Sequence, residues 1–150
     1  MTKHITWYAA AVLAASIVAP LGMAHADGPD PIATRQAAFF LNSGDFAYIR
    51  SVVKASGDVK QLEDPAKAIA EWAGVIPTMF PQGSEHGGDT KALPAIWSDS
   101  AGFQKAAMRL GDAATKLATD AKAGDSAAVA ADTKVLGEAC GACHKSYRAK

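Results

Sequence analysis

Cys140-Gly141-Ala142-Cys143-His144, followed by Lys145-Ser146-Tyr147-Arg148, closes the chain and governs the reading of everything before it. C-x-x-C-H is the spacing of covalent c-type haem attachment. The two thiols add to the vinyl groups of the porphyrin as thioethers, and the adjacent histidine ligates the iron. Cys140 and Cys143, three residues apart on a helix, share one face, so both sulfurs meet one edge of a flat ring. His144 turns its imidazole under that ring, and neutral imidazole is a common haem-iron ligand. Three other readings compete. A disulfide between Cys140 and Cys143 would close a very small loop. A thioredoxin-like pair needs a βαβ setting, which the surrounding sequence does not offer. A structural zinc site needs four ligands. Outside the N-terminal leader the only other histidine is His86, which leaves such a site one ligand short, with acidic residues only scattered.

At the opposite end, residues 1–26 have the form of a secretory signal peptide. Lys3 gives the positive start, an apolar run extends from Trp7 to Val18, Pro20 and Gly22 break it, and Ala24-His25-Ala26 is a small-x-small cleavage site. The apolar run is too short for an ordinary membrane helix, so an uncleaved anchor is the weaker alternative. Export to the periplasm agrees with the C-terminal motif, because c-type haem is attached outside the bacterial cytoplasm. Cleavage leaves residues 27–150 as one domain, long enough to bury a core. It removes only one charged residue, Lys3, and leaves 14 Lys+Arg against 15 Asp+Glu. Such a balance suggests neither nucleic acid nor an anionic membrane as a partner. Both cysteines lie in the motif, so there is no disulfide framework.

Four helical stretches make up the mature chain. Asp30-Pro31 is an N-cap with proline at the first helical position. Arg35, Phe39, Asn42, Phe46, Ile49 and Val53 then recur at steps of four and three, one face interrupted by Asn42, toward a stop at Gly57. The second stretch, 59–79, repeats the pattern through Val59, Leu62, Ala66, Ile69, Ala73, Ile76 and Phe80. Asp64-Pro65 offers an alternative start, with 58–63 a separate turn, and Pro77 should kink or end the helix. Gly and Pro in 81–95 mark a long connection, in which His86 reads as a solvated residue, with iron ligation the sharper alternative. Ser98 can cap the third helix, whose inner face is Phe103, Ala107, Leu110, Ala114, Leu117 and Ala121. Gly124 ends it. Asp125 caps the fourth, which carries Val129, Asp132, Leu136, Cys140, Cys143 and Tyr147 on one face, Asp132 at its rim. No alternating strand pattern competes. The fold class is all-α, an antiparallel up-down-up-down four-helix bundle around a covalently bound haem.

With these elements in place the chain resembles the class II c-type cytochromes, and the cytochrome c′ family most closely. The resemblance covers nearly all of residues 30–150. It is carried by Cys140-x-x-Cys143-His144-x-x-Tyr147-Arg148, by Arg35-Gln36-x-x-Phe39, and by the run from Phe80 through Gly87-Gly88-Asp89 to Ile96-Trp97-Ser98-Asp99. It implies that the position four residues after Arg35 decides coordination, because methionine there gives six-coordinate members and an apolar residue five-coordinate ones. Here that position is Phe39, whose ring cannot ligate iron. The resemblance also implies that Arg35 contacts a haem propionate, that Arg148 flanks the proximal face, and that the chain pairs as a homodimer through its first two helices. On spacing alone each arginine would be a solvated surface charge. Trp72 and Trp97 read as core or surface packing.

The expectation is a periplasmic haem protein with one covalent haem c. Its cofactor-binding residues are Cys140, Cys143, His144, Arg35, Phe39 and Arg148, and His144 is the metal ligand. An apolar face opposite His144 admits nitric oxide and carbon monoxide, and the lack of a hydrogen-bond donor there disfavours dioxygen. Nitric oxide sequestration is the role this suggests. The alternative is an electron carrier with permanently coordinated iron, in which Met79 or His86 fills the sixth position. The sequence shows no acid-base or nucleophile constellation that would make an enzyme, and it does not identify a redox partner.

Overall fold

The structure, a computed structural model, describes residues 28–150, and the signal peptide expected at 1–26 lies outside the described residues. The helices are α1 (Pro31–Lys54), α2 (Glu63–Val75), a short α3 (Ala95–Ser98), α4 (Ser100–Ala123) and α5 (Ser126–Tyr147). Two 3₁₀ turns, Val59–Leu62 and Ile76–Met79, flank α2. α1, α2, α4 and α5 form the antiparallel bundle, joined as expected. No helix among the described residues is long and apolar enough to cross a membrane.

Capping chemistry sets the boundaries. The Asp30 carboxylate accepts from Ile32 N at 2.8 Å, with Pro31 in the first turn where its missing N–H costs nothing. α1 stops at Lys54, before Gly57, because Ser56 takes the left-handed turn at φ +50°. The continuous helix expected over 59–79 is divided in three. Its α-helical part begins at Glu63, beside the alternative start at Asp64-Pro65. It tightens into 3₁₀ geometry at Ile76 because Pro77 cannot donate to the preceding turn. The expected cap of the third long helix moves by one residue. Asp99, not Ser98, caps α4 through Gly102 N at 3.2 Å, while Ser98 Oγ turns back to Pro94 O within α3. Asp125 caps α5 as expected, accepting from Ala128 N at 2.9 Å after Gly124 turns the chain at φ +79°.

The apolar faces read from the sequence meet in one core. Leu62, Ala66, Ala114, Leu117, Ala121, Val129 and Leu136 are fully enclosed. Small residues let α2 and α4 approach closely: a Cβ placed on Gly111 would stand 3.4 Å from Ala73 Cβ. Asp132 is more enclosed than its expected rim position, at 6% exposure, because Lys116 reaches in from α4 at 3.0 Å to pair with it. Burying a carboxylate requires such a partner.

Candidate functional site

At the end of the bundle where α5 finishes, α1 and α5 stand apart around a cavity of about 580 Å³. The last turns of α5 supply Gly137, Cys140, Cys143, His144, Tyr147 and Arg148. α1 supplies Arg35, Phe39, Asn42 and Phe46 opposite, and Ile76, Phe80, Phe103 and Leu110 form the apolar floor. Every site residue expected from the sequence therefore lines one cavity. Helical spacing explains this, since Arg35, Phe39, Asn42 and Phe46 share one stripe and Cys140, Cys143 and Tyr147 another.

Burial sets the state of the α5 groups. Both cysteines are half-buried free thiols, and desolvation pushes both above the ordinary thiol range. Burial, and then the Arg148 charge, holds His144 below the usual histidine range. Its imidazole is thus neutral at neutral pH, the form that ligates metals.

Arg35 corrects the surface-charge reading from spacing alone. It is only 2% exposed. Nη1 donates to Ser84 Oγ at 2.8 Å and Met79 O at 3.5 Å, and Nη2 to Ser84 O and Thr90 Oγ1 at 2.8 Å each. The guanidinium carbon lies 4.5 Å from the centre of the Phe80 ring. Arg35 therefore ties α1 to the connection after Met79, and none of these bonds uses its Nε. Arg148 is exposed at the cavity mouth, next to Lys91, and pairs its backbone with Ala92 in an antiparallel bridge.

Phe39 is locked by aromatic neighbours. It meets Trp72 edge-on at 5.4 Å and Phe80 at 6.3 Å. Trp97 is surface packing with a polar tether, its Nε1 donating to Phe80 O at 3.0 Å. His86 is exposed, and neither it nor Met79 belongs to the cavity lining. One expectation needs adjusting: the wall opposite α5 is not free of donors, because Asn42 brings an amide one turn beyond Phe39. Its position in the α1 stripe was the available signal. Gly137 was not singled out, although it precedes Cys140 by one helical step. A Cβ there would come within 3.2 Å of Phe46, so glycine makes the room that lets the Phe46 ring lie against α5. Ser84 and Thr90 carried no sequence signal at all.

A cavity of this size falls in the range of small-molecule and cofactor sites, about 300–1,000 Å³. Apolar walls with two thiols and a neutral imidazole on one side fit a flat, iron-bearing porphyrin. The family model for Cytochrome C′ matches residues 30–148. The chain belongs to the cytochrome c′ family. That family carries one covalent haem c, and the donor set here suits it. Cytochrome c′ of Rubrivivax gelatinosus is 34% identical over 123 residues, covering 81% of this chain and 95% of that one. Cytochrome c′ of Rhodospirillum rubrum is 43% identical over 89 residues, covering 59% of this chain and 60% of that protein's length. Among solved structures, a nitric oxide complex of a cytochrome c prime variant from Alcaligenes xylosoxidans superposes with a TM-score of 0.71. It is 31% identical and covers 80% of this chain and 94% of that one. A carbon monoxide-bound variant of the same protein gives 0.72 at 32% identity, covering 81% and 95%.

Proposed function

We propose that this chain is an exported periplasmic haem protein that binds nitric oxide and carbon monoxide at five-coordinate iron, with nitric oxide sequestration as its role. Cys140 and Cys143 would hold the haem as thioethers, and His144 would ligate the iron. When bound, the haem supplies a redox-active iron with one position left for a small ligand. The observation that carries this reading is Phe39, a side chain without a lone pair that lines the same cavity as His144 from the opposite helix. Its contacts with Trp72 and Phe80 support a fixed cover, so an incoming ligand must displace a packed ring. Arg148 and Lys91 place positive charge at the mouth, where propionates would leave the cavity, and Arg35 can offer only Nε without releasing the chain after Met79. The reading is one of ligand binding rather than catalysis. A second copy would cover the outer face of α1, where Phe40 and Leu41 are 78% and 70% exposed, giving a homodimer.

Absorption spectra of the oxidised and reduced protein, with and without carbon monoxide, test this together with rapid-mixing kinetics. Phe39→Ala should speed carbon monoxide binding, and Phe39→Met should shift the spectrum toward low spin. A low-spin parent whose carbon monoxide kinetics ignore Phe39→Ala would favour the electron carrier instead.

A further inference from the structure

The last turn of α5 is fastened by a latch that lies outside the Cys140-x-x-Cys143-His144 attachment sequence. Tyr147 Oη donates to Asp99 Oδ2 at 2.8 Å, while Asp99 Oδ1 accepts from Gly102 N at the start of α4. One carboxylate thus caps one helix and anchors the end of another. The anchoring is local and deep. Tyr147 is only 8% exposed, and its ring packs against Phe103 at 5.1 Å. Its backbone is held as well: Leu93 N donates to Tyr147 O at 3.0 Å, and Ala149 N donates to Lys91 O at 2.8 Å. Gly102 leaves the room for this. A Cβ there would overlap Asp99 Oδ2 and approach Tyr147 Oη to 2.6 Å.

The geometry points to Asp99 and Tyr147 as positioning residues for His144, fixing the helical turn from which its imidazole reaches the iron. His144 precedes Tyr147 by three residues, so the two share one turn and one cavity wall. A histidine on a fraying C-terminal turn could rotate and lengthen its bond to a metal. Tying Tyr147 to the first turn of α4 removes that freedom. The inference rests on the ligation proposed for His144.

Resonance Raman of the ferrous haem-loaded protein reads the iron–imidazole stretch, and potentiometry reads the midpoint potential. Tyr147→Phe keeps the ring and the α4 cap but deletes the bond. It should move and broaden the stretch and shift the potential. Gly102→Ala, which raises helix propensity, should do the same by crowding the latch. Asp99→Asn keeps the cap and can reverse the hydrogen bond toward Tyr147 Oη, so its stretch should stay close to the parent's. Parent-like band and potential in both Tyr147→Phe and Gly102→Ala would overturn the inference while leaving His144 ligation intact. A parent whose haem spectrum and potential survive His144→Ala unchanged would take down both.

Discussion

At the Gly124 end of the bundle, Leu62, Ala66, Ala114, Leu117, Val129 and Leu136 meet with nothing between them. At the other end, Phe39, Phe46 and Phe80 line a cavity of about 580 Å³ and remain only partly buried. The helices are the same four, continued from one end to the other. Ala66 on α2 and Ala114 and Ala121 on α4 close one end, whereas the Phe39 and Phe46 rings line the space between α1 and α5 at the other. The closed end has filled its volume with its own side chains. The open end has arranged its large apolar groups around a space the chain cannot fill, so its stability belongs partly to whatever occupies that space.

The largest effect should come from emptying the open end. A Cys140→Ala/Cys143→Ala double variant, purified without covalent haem, should lose cooperative thermal unfolding, because the ring supplies much of the apolar surface between α1 and α5. Calorimetry checks this, and a melting curve equal to the parent's would erase the distinction between the ends. At the closed end, Leu117→Ala should cost about 2–5 kcal/mol, since the fully enclosed side chain leaves a cavity behind. Phe46→Ala, half-buried on the cavity wall, should cost less despite its larger side chain. Denaturant titration of both variants decides, and equal losses would mean that the open end is packed like the closed one.

Arg35→Ala should cost about 1.5–3 kcal/mol, the range for hydrogen bonds to a charged group, by releasing Ser84 and Thr90. Hydrogen exchange should then quicken around residues 80–92 and stay unchanged near Leu117. The smallest effect is one of pH. The hydrogen bond to Asp99, and then burial, holds the Tyr147 hydroxyl above the usual tyrosine range near pH 10. A group whose folded pKa is raised stabilises fully below its unfolded value and loses that contribution as pH rises through its folded value. The stability difference between the parent and Tyr147→Phe should therefore be constant at neutral pH and shrink above about pH 10. A constant difference throughout would show that the hydroxyl contributes nothing through its proton.

The helical faces were legible because burial in a bundle follows a fixed angular period, and Ile49, Leu62, Ile69, Leu117 and Leu136 all fall inside as their spacing required. Boundaries governed by competition between neighbouring residues were less legible. Ser98 and Asp99 are both good caps, and the choice fell to the residue whose carboxylate could also accept from Tyr147. Arg35 shows the same limit, because a cation on an apolar stripe has no readable partner when its acceptors lie in a loop some fifty positions away.

By itself, then, the sequence determined the helices, their inner faces and the grouping of Cys140, Cys143 and His144, since each depends on residues within a turn or two of one another. Only the tertiary structure decided that Phe39 and His144 line one cavity, that Arg35 is a buried tie rather than a surface charge, and that Asp99 latches Tyr147. These relations join residues on different helices and loops. No periodicity encodes them, because their distances exist only after the bundle has closed.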